Sequence, residues 1–140
     1  DIFAKNIFKG NVILFYGEIG VGKTTFIKSL VNTLEKIDNK NISEITSPTF
    51  SLMNQYKLNK FDIHHYDLYR LKSEKDILSL NIFEDISDKI VLIEWPEILG
   101  EHKPRNTIDI NFEYGENFNS RYLTISAYEK LKIFDEFKSL

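Results

Sequence analysis

Gly17-Glu18-Ile19-Gly20-Val21-Gly22-Lys23-Thr24 is the stretch that decides the reading of this chain. Glycine, four residues, then Gly-Lys-Thr matches the phosphate-binding loop (P-loop) pattern at every fixed position. The chemistry explains the spacing. Glycines let the main chain turn tightly and aim successive N–H groups inward, which forms a concavity for an anion. From that loop Lys23 reaches β- and γ-phosphates, and the Thr24 hydroxyl serves Mg²⁺. Val12-Ile13-Leu14-Phe15-Tyr16, an apolar run of strand length, stands before the loop, and residues 25–34 have helical spacing after it. Such a helix points the positive end of its dipole at bound phosphate. Glu18, Ile19, Gly20, Val21, Gly22, Lys23, Thr24 and Thr25 are therefore the expected nucleotide contacts of the loop.

The totals limit the alternatives. A chain of 140 residues with 42 % hydrophobic and 28 % charged content is an ordinary soluble globular composition, enough for one domain. Net charge is −3, so no global basic field exists to grip nucleic acid or an anionic membrane. Nucleic acid would be reached through a partner. There is no cysteine, which excludes disulfides, Cys-ligated zinc and thiol chemistry. No apolar stretch approaches the roughly 20 residues that span a bilayer. The start of the chain lacks the charged-then-apolar layout of a secretion signal, so the expected home is cytoplasmic. A first residue of Asp in place of Met is consistent with trimming at that end.

Along the chain, Ile2, Phe3, Ala4, Ile7 and Phe8 lie near helical spacing, with Gly10 as the expected cap of that helix. The loop helix runs to about Ile37, and Asp38-Asn39-Lys40-Asn41 is a polar turn. Residues 43–50 should be extended, because Pro48 disfavours helix at Ser47. Residues 51–58 and 61–71 read as a hairpin with Asn59-Lys60 at its tip. Alternation along its second strand puts His65, Asp67 and Tyr69 on one face, and His64, Tyr66, Leu68 and Arg70 on the other. Ser73 is the expected N-cap of a short helix that buries Ile77, Leu78, Leu80, Ile82 and Phe83. Lys89-Ile90-Val91-Leu92-Ile93 is a buried strand of the parallel-sheet type, ending at Glu94-Trp95-Pro96. Residues 106–113 and 121–127 form a second hairpin, and 128–140 a short helix with Leu131, Phe134 and Phe137 on its core side.

A phosphate loop needs an acid at the end of a neighbouring buried strand to serve Mg²⁺, directly or through water. Glu94 stands there, a glutamate where many such sites have aspartate. Asp67 is the second acid, a candidate to position water or support the metal's shell. Thr49 lies on the loop between the first helix and the hairpin, where nucleotide switches sense a γ-phosphate. Trp95 would rim the same site. His64 and His65 face opposite ways on a strand, which argues against joint metal ligation. Arg70, Arg105 and Arg121 are the three arginines, so an arginine finger would have to come largely from outside.

Four segments together resemble a known family. The loop with Thr25-Phe26, then Ser47-Pro48-Thr49-Phe50, then His65-Tyr66-Asp67-Leu68-Tyr69-Arg70-Leu71, then Leu92-Ile93-Glu94-Trp95-Pro96-Glu97 are similar to TsaE (YjeE) proteins. Those are bacterial P-loop ATPases of tRNA threonylcarbamoyladenosine synthesis. The resemblance implies a weak ATPase that works with the TsaB–TsaD pair, which transfers the threonylcarbamoyl group to the adenosine adjoining the anticodon. Its ATP hydrolysis would reset that complex between turnovers. By motif position, Lys23 would hold phosphates, Thr24 and Glu94 would serve Mg²⁺, Asp67 and Glu94 would support catalysis, and Thr49 would act as a switch. One departure is Leu80-Asn81 where the family often has Leu-Gly; Asn tolerates the left-handed conformation such a turn requires. The stretch after Pro96 has few family matches.

The expectation is therefore one α/β domain over residues 1–140 with a P-loop NTPase fold. Its mixed sheet would be mostly parallel, flanked by helices and extended by antiparallel hairpins. The cofactors would be ATP and Mg²⁺, and tRNA would be met through the partner proteins. Two alternatives remain at this level: a P-loop kinase for a small molecule, and a nucleotide-gated interaction module without significant turnover.

Overall fold

Apolar residues on both faces of a strand require cover on both faces, and the first strand shows this. The computed structural model describes residues 2–48, 51–117 and 119–127. Strand β1 (Val12–Tyr16) buries Ile13, Leu14 and Phe15 completely, which contributes about 1.5–3 kcal/mol per side chain. Ile13 and Phe15 pack with Ile27, Val31 and Leu34 of helix α2 (Lys23–Ile37). Val12 and Leu14 pack on the other side with Ile77 of helix α3 (Glu74–Leu80) and with Leu99. The buried positions Ile27, Leu30, Val31 and Leu34 of α2 recur at the three- and four-residue spacing of one helical stripe.

The sheet has six strands. Beyond β1 these are β2 (Met53–Lys57), β3 (Asp62–Asp67), β4 (Lys89–Glu94), β5 (Thr107–Tyr114) and β6 (Arg121–Ala127). Their order is β2-β3-β4-β1-β5-β6. The central pairs β3–β4, β4–β1 and β1–β5 are parallel, and the outer pairs β2–β3 and β5–β6 are antiparallel. The expected mixed sheet with two hairpins is what forms. Register places Glu94 beside Phe15 on one flank and Asp67 on the other. Both acids thus arrive at the carboxyl edge, next to the loop that leaves β1.

Several local expectations change. The N-terminal helix α1 covers only Ile2–Lys5. Asn6 donates from its side chain to the Ile2 carbonyl at 2.8 Å, and the Asn11 side chain accepts from Phe8 N–H at 2.7 Å. Such local bonds compete with helix continuation. Gly10 is therefore not a helix cap; its N–H joins the Lys89 carbonyl at 2.7 Å as the chain enters β1. In α3, Ile77 is buried and Ile82, just past its end, is too, but Leu78 is 57 % exposed, since a two-turn helix cannot aim consecutive residues inward. Ser73 caps α3 as expected, accepting from Asp76 N–H. The helix expected over 128–140 lies outside the described residues, and among those described no helix is long and apolar enough to cross a membrane.

Asn81 closes α3 in the left-handed conformation, φ 49°. That conformation costs a β-branched residue about 1–2 kcal/mol and glycine nothing. Asn81→Val should lower unfolding free energy by about that amount, while Asn81→Gly should hold or raise it. Thermal and denaturant unfolding of the two variants would check the difference.

Candidate functional site

The loop between β1 and α2 owes its path to two glycines. Gly17 has φ 145°, and a Cβ there would lie 2.9 Å from Val21 and 3.0 Å from Phe112. Only the bare backbone fits so close to β5. Gly22, with φ 114°, enters α2 without any side-chain cap. The first amide groups of α2 are consequently left for an acceptor from outside the helix. Phe26 closes the opposite side of the loop, packing edge-on against Phe112 with centroids 5.7 Å apart.

A cavity of about 350 Å³ opens over this loop. Ile19, Gly20, Gly22, Lys23, Thr24 and Thr25 line it from the loop side, and Asp67, Glu94 and Trp95 from the strand ends. Most of the site residues expected from sequence are thus brought together. Glu18 is exposed and outside the lining, and the Val21 side chain turns into the core. Thr49 lies outside the described residues. Arg70 is exposed and does not line the cavity.

Thr24 Oγ1 donates to Glu94 Oε1 at 2.8 Å, a contact between residues 70 apart in sequence. Glu94 is 2 % exposed, and its second oxygen meets His65 Nε2 at 2.8 Å. Asp67 accepts from Ser47 Oγ at 3.0 Å and from Tyr69 N–H at 3.0 Å. Ser47, Tyr69 and His65 touch the two acids directly; sequence reasoning gave them no role at the site beyond setting His65 aside as a joint metal ligand with His64. The signal for His65 and Tyr69 was their two-residue spacing from Asp67, and for Ser47 its place in the family-like Ser47-Pro48-Thr49-Phe50 segment.

Lys23 Nζ donates to the Gly17 carbonyl at 2.5 Å and sits 3.5 Å from the centroid of the Trp95 ring. Burial holds this ammonium below the usual lysine range, against the opposing pull of Glu94, Glu97 and Asp67. Trp95 itself takes a left-handed φ of 58°, wedged between β4 and the 3-10 helical run Pro96–His102. A bulky residue in that conformation stores strain of the kind found at binding sites. Tyr69 packs against the same indole, with centroids 4.9 Å apart.

The family model described as threonylcarbamoyl adenosine biosynthesis protein TsaE matches residues 1–123. The chain belongs to the TsaE family. It is 36 % identical over 124 residues to the tRNA threonylcarbamoyladenosine biosynthesis protein TsaE of Rickettsia prowazekii, covering 89 % of this chain and 83 % of that one. The TsaE protein of a Nostoc species is 36 % identical over 133 residues, 91 % of this chain and 76 % of the relative. The solved structure of Bacillus subtilis YdiB superposes with a TM-score of 0.71, over 99 % of this chain and 83 % of that one. At 20 % identity that likeness speaks for the fold alone. The departure at Leu80-Asn81 from the usual TsaE pattern is absorbed by the left-handed Asn81.

Trp95 is the single tryptophan of this TsaE-family chain. A phosphate that draws Lys23 off the indole should change its fluorescence saturably; ADP titration of the wild type and Trp95→Phe checks this. The ammonium form is the one a phosphate favours. Affinity should therefore fall as pH rises through the lowered Lys23 pKa, before ordinary lysines titrate. Dissociation constants measured toward alkaline pH would show it.

Proposed function

We propose that this protein binds and hydrolyses Mg²⁺-ATP in support of tRNA threonylcarbamoyladenosine synthesis, acting on the TsaB–TsaD pair. The observation that carries the reading is the Thr24–Glu94 hydrogen bond of 2.8 Å at the mouth of the phosphate loop. It joins the loop hydroxyl to a strand-end carboxylate on the wall of one cavity. These are hard oxygen donors, which suit Mg²⁺. Among the described residues no group of three acidic, His or Cys side chains is placed to hold a metal. That also fits Mg²⁺, which takes most of its ligands from water and phosphate.

The chain's own groups divide the work. Loop amides and the start of α2 receive the phosphate oxygens, and Lys23 adds a point charge. The donation from Thr24 to Glu94 turns the hydroxyl's lone pairs outward, where a cation is to be met. When bound, Mg²⁺ neutralises charge on the β- and γ-oxygens. Asp67 anchors Ser47 and so holds the segment leading to Thr49 against the site. Thr49 would respond to the γ-phosphate from that segment. A second cavity of about 660 Å³ shares Gly20, Gly22 and Thr25 with the first. It offers Phe26, Phe112 and Arg121 as walls for the nucleoside end. Within one domain, these parts make a weak ATPase that awaits its partners; Arg121 keeps its place in the second cavity by donating Nε–H to the Val21 carbonyl at 3.0 Å.

Lys23→Ala should weaken ATP binding about 10- to 100-fold, the worth of a charge-assisted phosphate contact. Calorimetry giving an unchanged affinity would overturn the assignment. Glu94→Gln should keep ATP binding and lose turnover by at least about 100-fold. With purified TsaB and TsaD, omission of this protein should stall tRNA modification after a few turnovers. Undiminished multiple turnover would refute the role in that complex.

A further inference from the structure

We infer that His65 is a positioning residue for the Glu94 carboxylate, holding it so that Thr24 presents its lone pairs to the metal. The inference rests on the metal–nucleotide reading of this site. His65 is fully buried on β3, opposite Leu92 in register, with Asp67 opposite Glu94 one pleat further along. Histidine at such a place is costly unless hydrogen-bonded. Ile63 on the same strand face, and Leu92 on β4, show that an aliphatic side chain could have filled the space.

The ring spends its hydrogen bonding on one contact. Nε2 meets Glu94 Oε2 at 2.8 Å, and among the described residues Nδ1 has no hydrogen-bond partner. His64 Nδ1 on the same strand is likewise without a partner among the described residues, so what sets His65 apart is that its one contact ends on Glu94. With the proton on Nε2, the contact is a donor bond and only a lone pair is left unpaired at Nδ1.

The consequence falls on Thr24. Glu94 accepts from His65 on one oxygen and from Thr24 on the other, so neither oxygen is free to turn. Glu94 also has Asp67 as its register neighbour, and two carboxylates repel each other. The histidine bond holds Glu94 in place despite that neighbour. Without it the carboxylate rotates, and the Thr24 hydroxyl loses the acceptor that points its proton away from the cavity. Outer partners of metal-site groups typically alter metal affinity or activity 10- to 100-fold when removed.

The test uses the intact chain and Trp95 fluorescence. ADP is titrated with excess chelator and again over a range of Mg²⁺ concentrations, for the wild type, His65→Gln, His65→Asn and His65→Leu. His65→Leu should leave metal-free ADP affinity within about twofold and raise the Mg²⁺ needed for half-saturation about 10- to 100-fold. His65→Gln, whose amide nitrogen reaches Glu94, should restore most of the Mg²⁺ response. His65→Asn is one methylene too short and should resemble His65→Leu; it keeps the test in hand if His65→Leu does not fold. ATP turnover should follow the Mg²⁺ response, with kcat falling and KM little changed. Wild-type Mg²⁺ dependence in His65→Asn or His65→Leu overturns the inference, and so does a metal-free ADP affinity that falls in step. A wild-type chain whose ADP binding ignores Mg²⁺ overturns the reading of the site itself.

Discussion

A buried carboxylate is the constraint around which this protein is arranged. Glu94 is 2 % exposed at the end of the most deeply covered strand. An ionised carboxylate without partners there would be strongly destabilising. Its two oxygens are met from opposite sides, by a hydroxyl on the first turn of α2 and by an imidazole on β3. Helix, sheet and phosphate loop are thereby tied at one atom group. The same ties orient the hydroxyl of Thr24 at the mouth of the phosphate loop. On the proposed function, stability and chemistry draw on one set of contacts here.

The loop next to it carries the opposite charge problem. Lys23 is nearly as buried as Glu94, and burial disfavours its ammonium. The Gly17 carbonyl and the face of Trp95 offset part of that penalty. Both are weaker partners than a phosphate, so the cation is accommodated without being satisfied. On the proposed function, a polyphosphate would supply the missing counter-charge. The strained φ of Trp95 is held by the same surroundings, with Tyr69 packed on its ring.

Much of this was legible in the sequence. The glycine pattern, the apolar run before it and the continuous hydrophobicity of Ile90 to Ile93 announced two parallel strands and a phosphate loop. The two hairpins followed from alternation and turn residues, and their strands pair as expected. Alternation even placed His65 and Asp67 on the face that meets Glu94. What the pattern could not tell was which side chain reaches which. His65 reads the same whether it ligates, packs or braces, because only the offset between β3 and β4 decides its distance to Glu94. The N-terminal segment failed for a different reason. Its apolar spacing suits a helix, but the asparagines at 6 and 11 offer the backbone competing partners. Leu78 misled because amphipathic spacing over two turns is too short to mark a face.

Register has a further effect, on the way the molecule can go wrong. Glu94 and Ile93 point to opposite sides of the sheet, so a slip of β4 by a single residue would exchange them. The acid would then be pressed into the apolar cluster of Leu14, Leu68 and Ile77, away from Thr24 and His65, and an aliphatic chain would stop the mouth of the phosphate loop. A chain that pairs its strands wrongly is penalised by the buried carboxylate of Glu94. The energetic cost of such an error lies in the sheet itself and does not wait for a ligand.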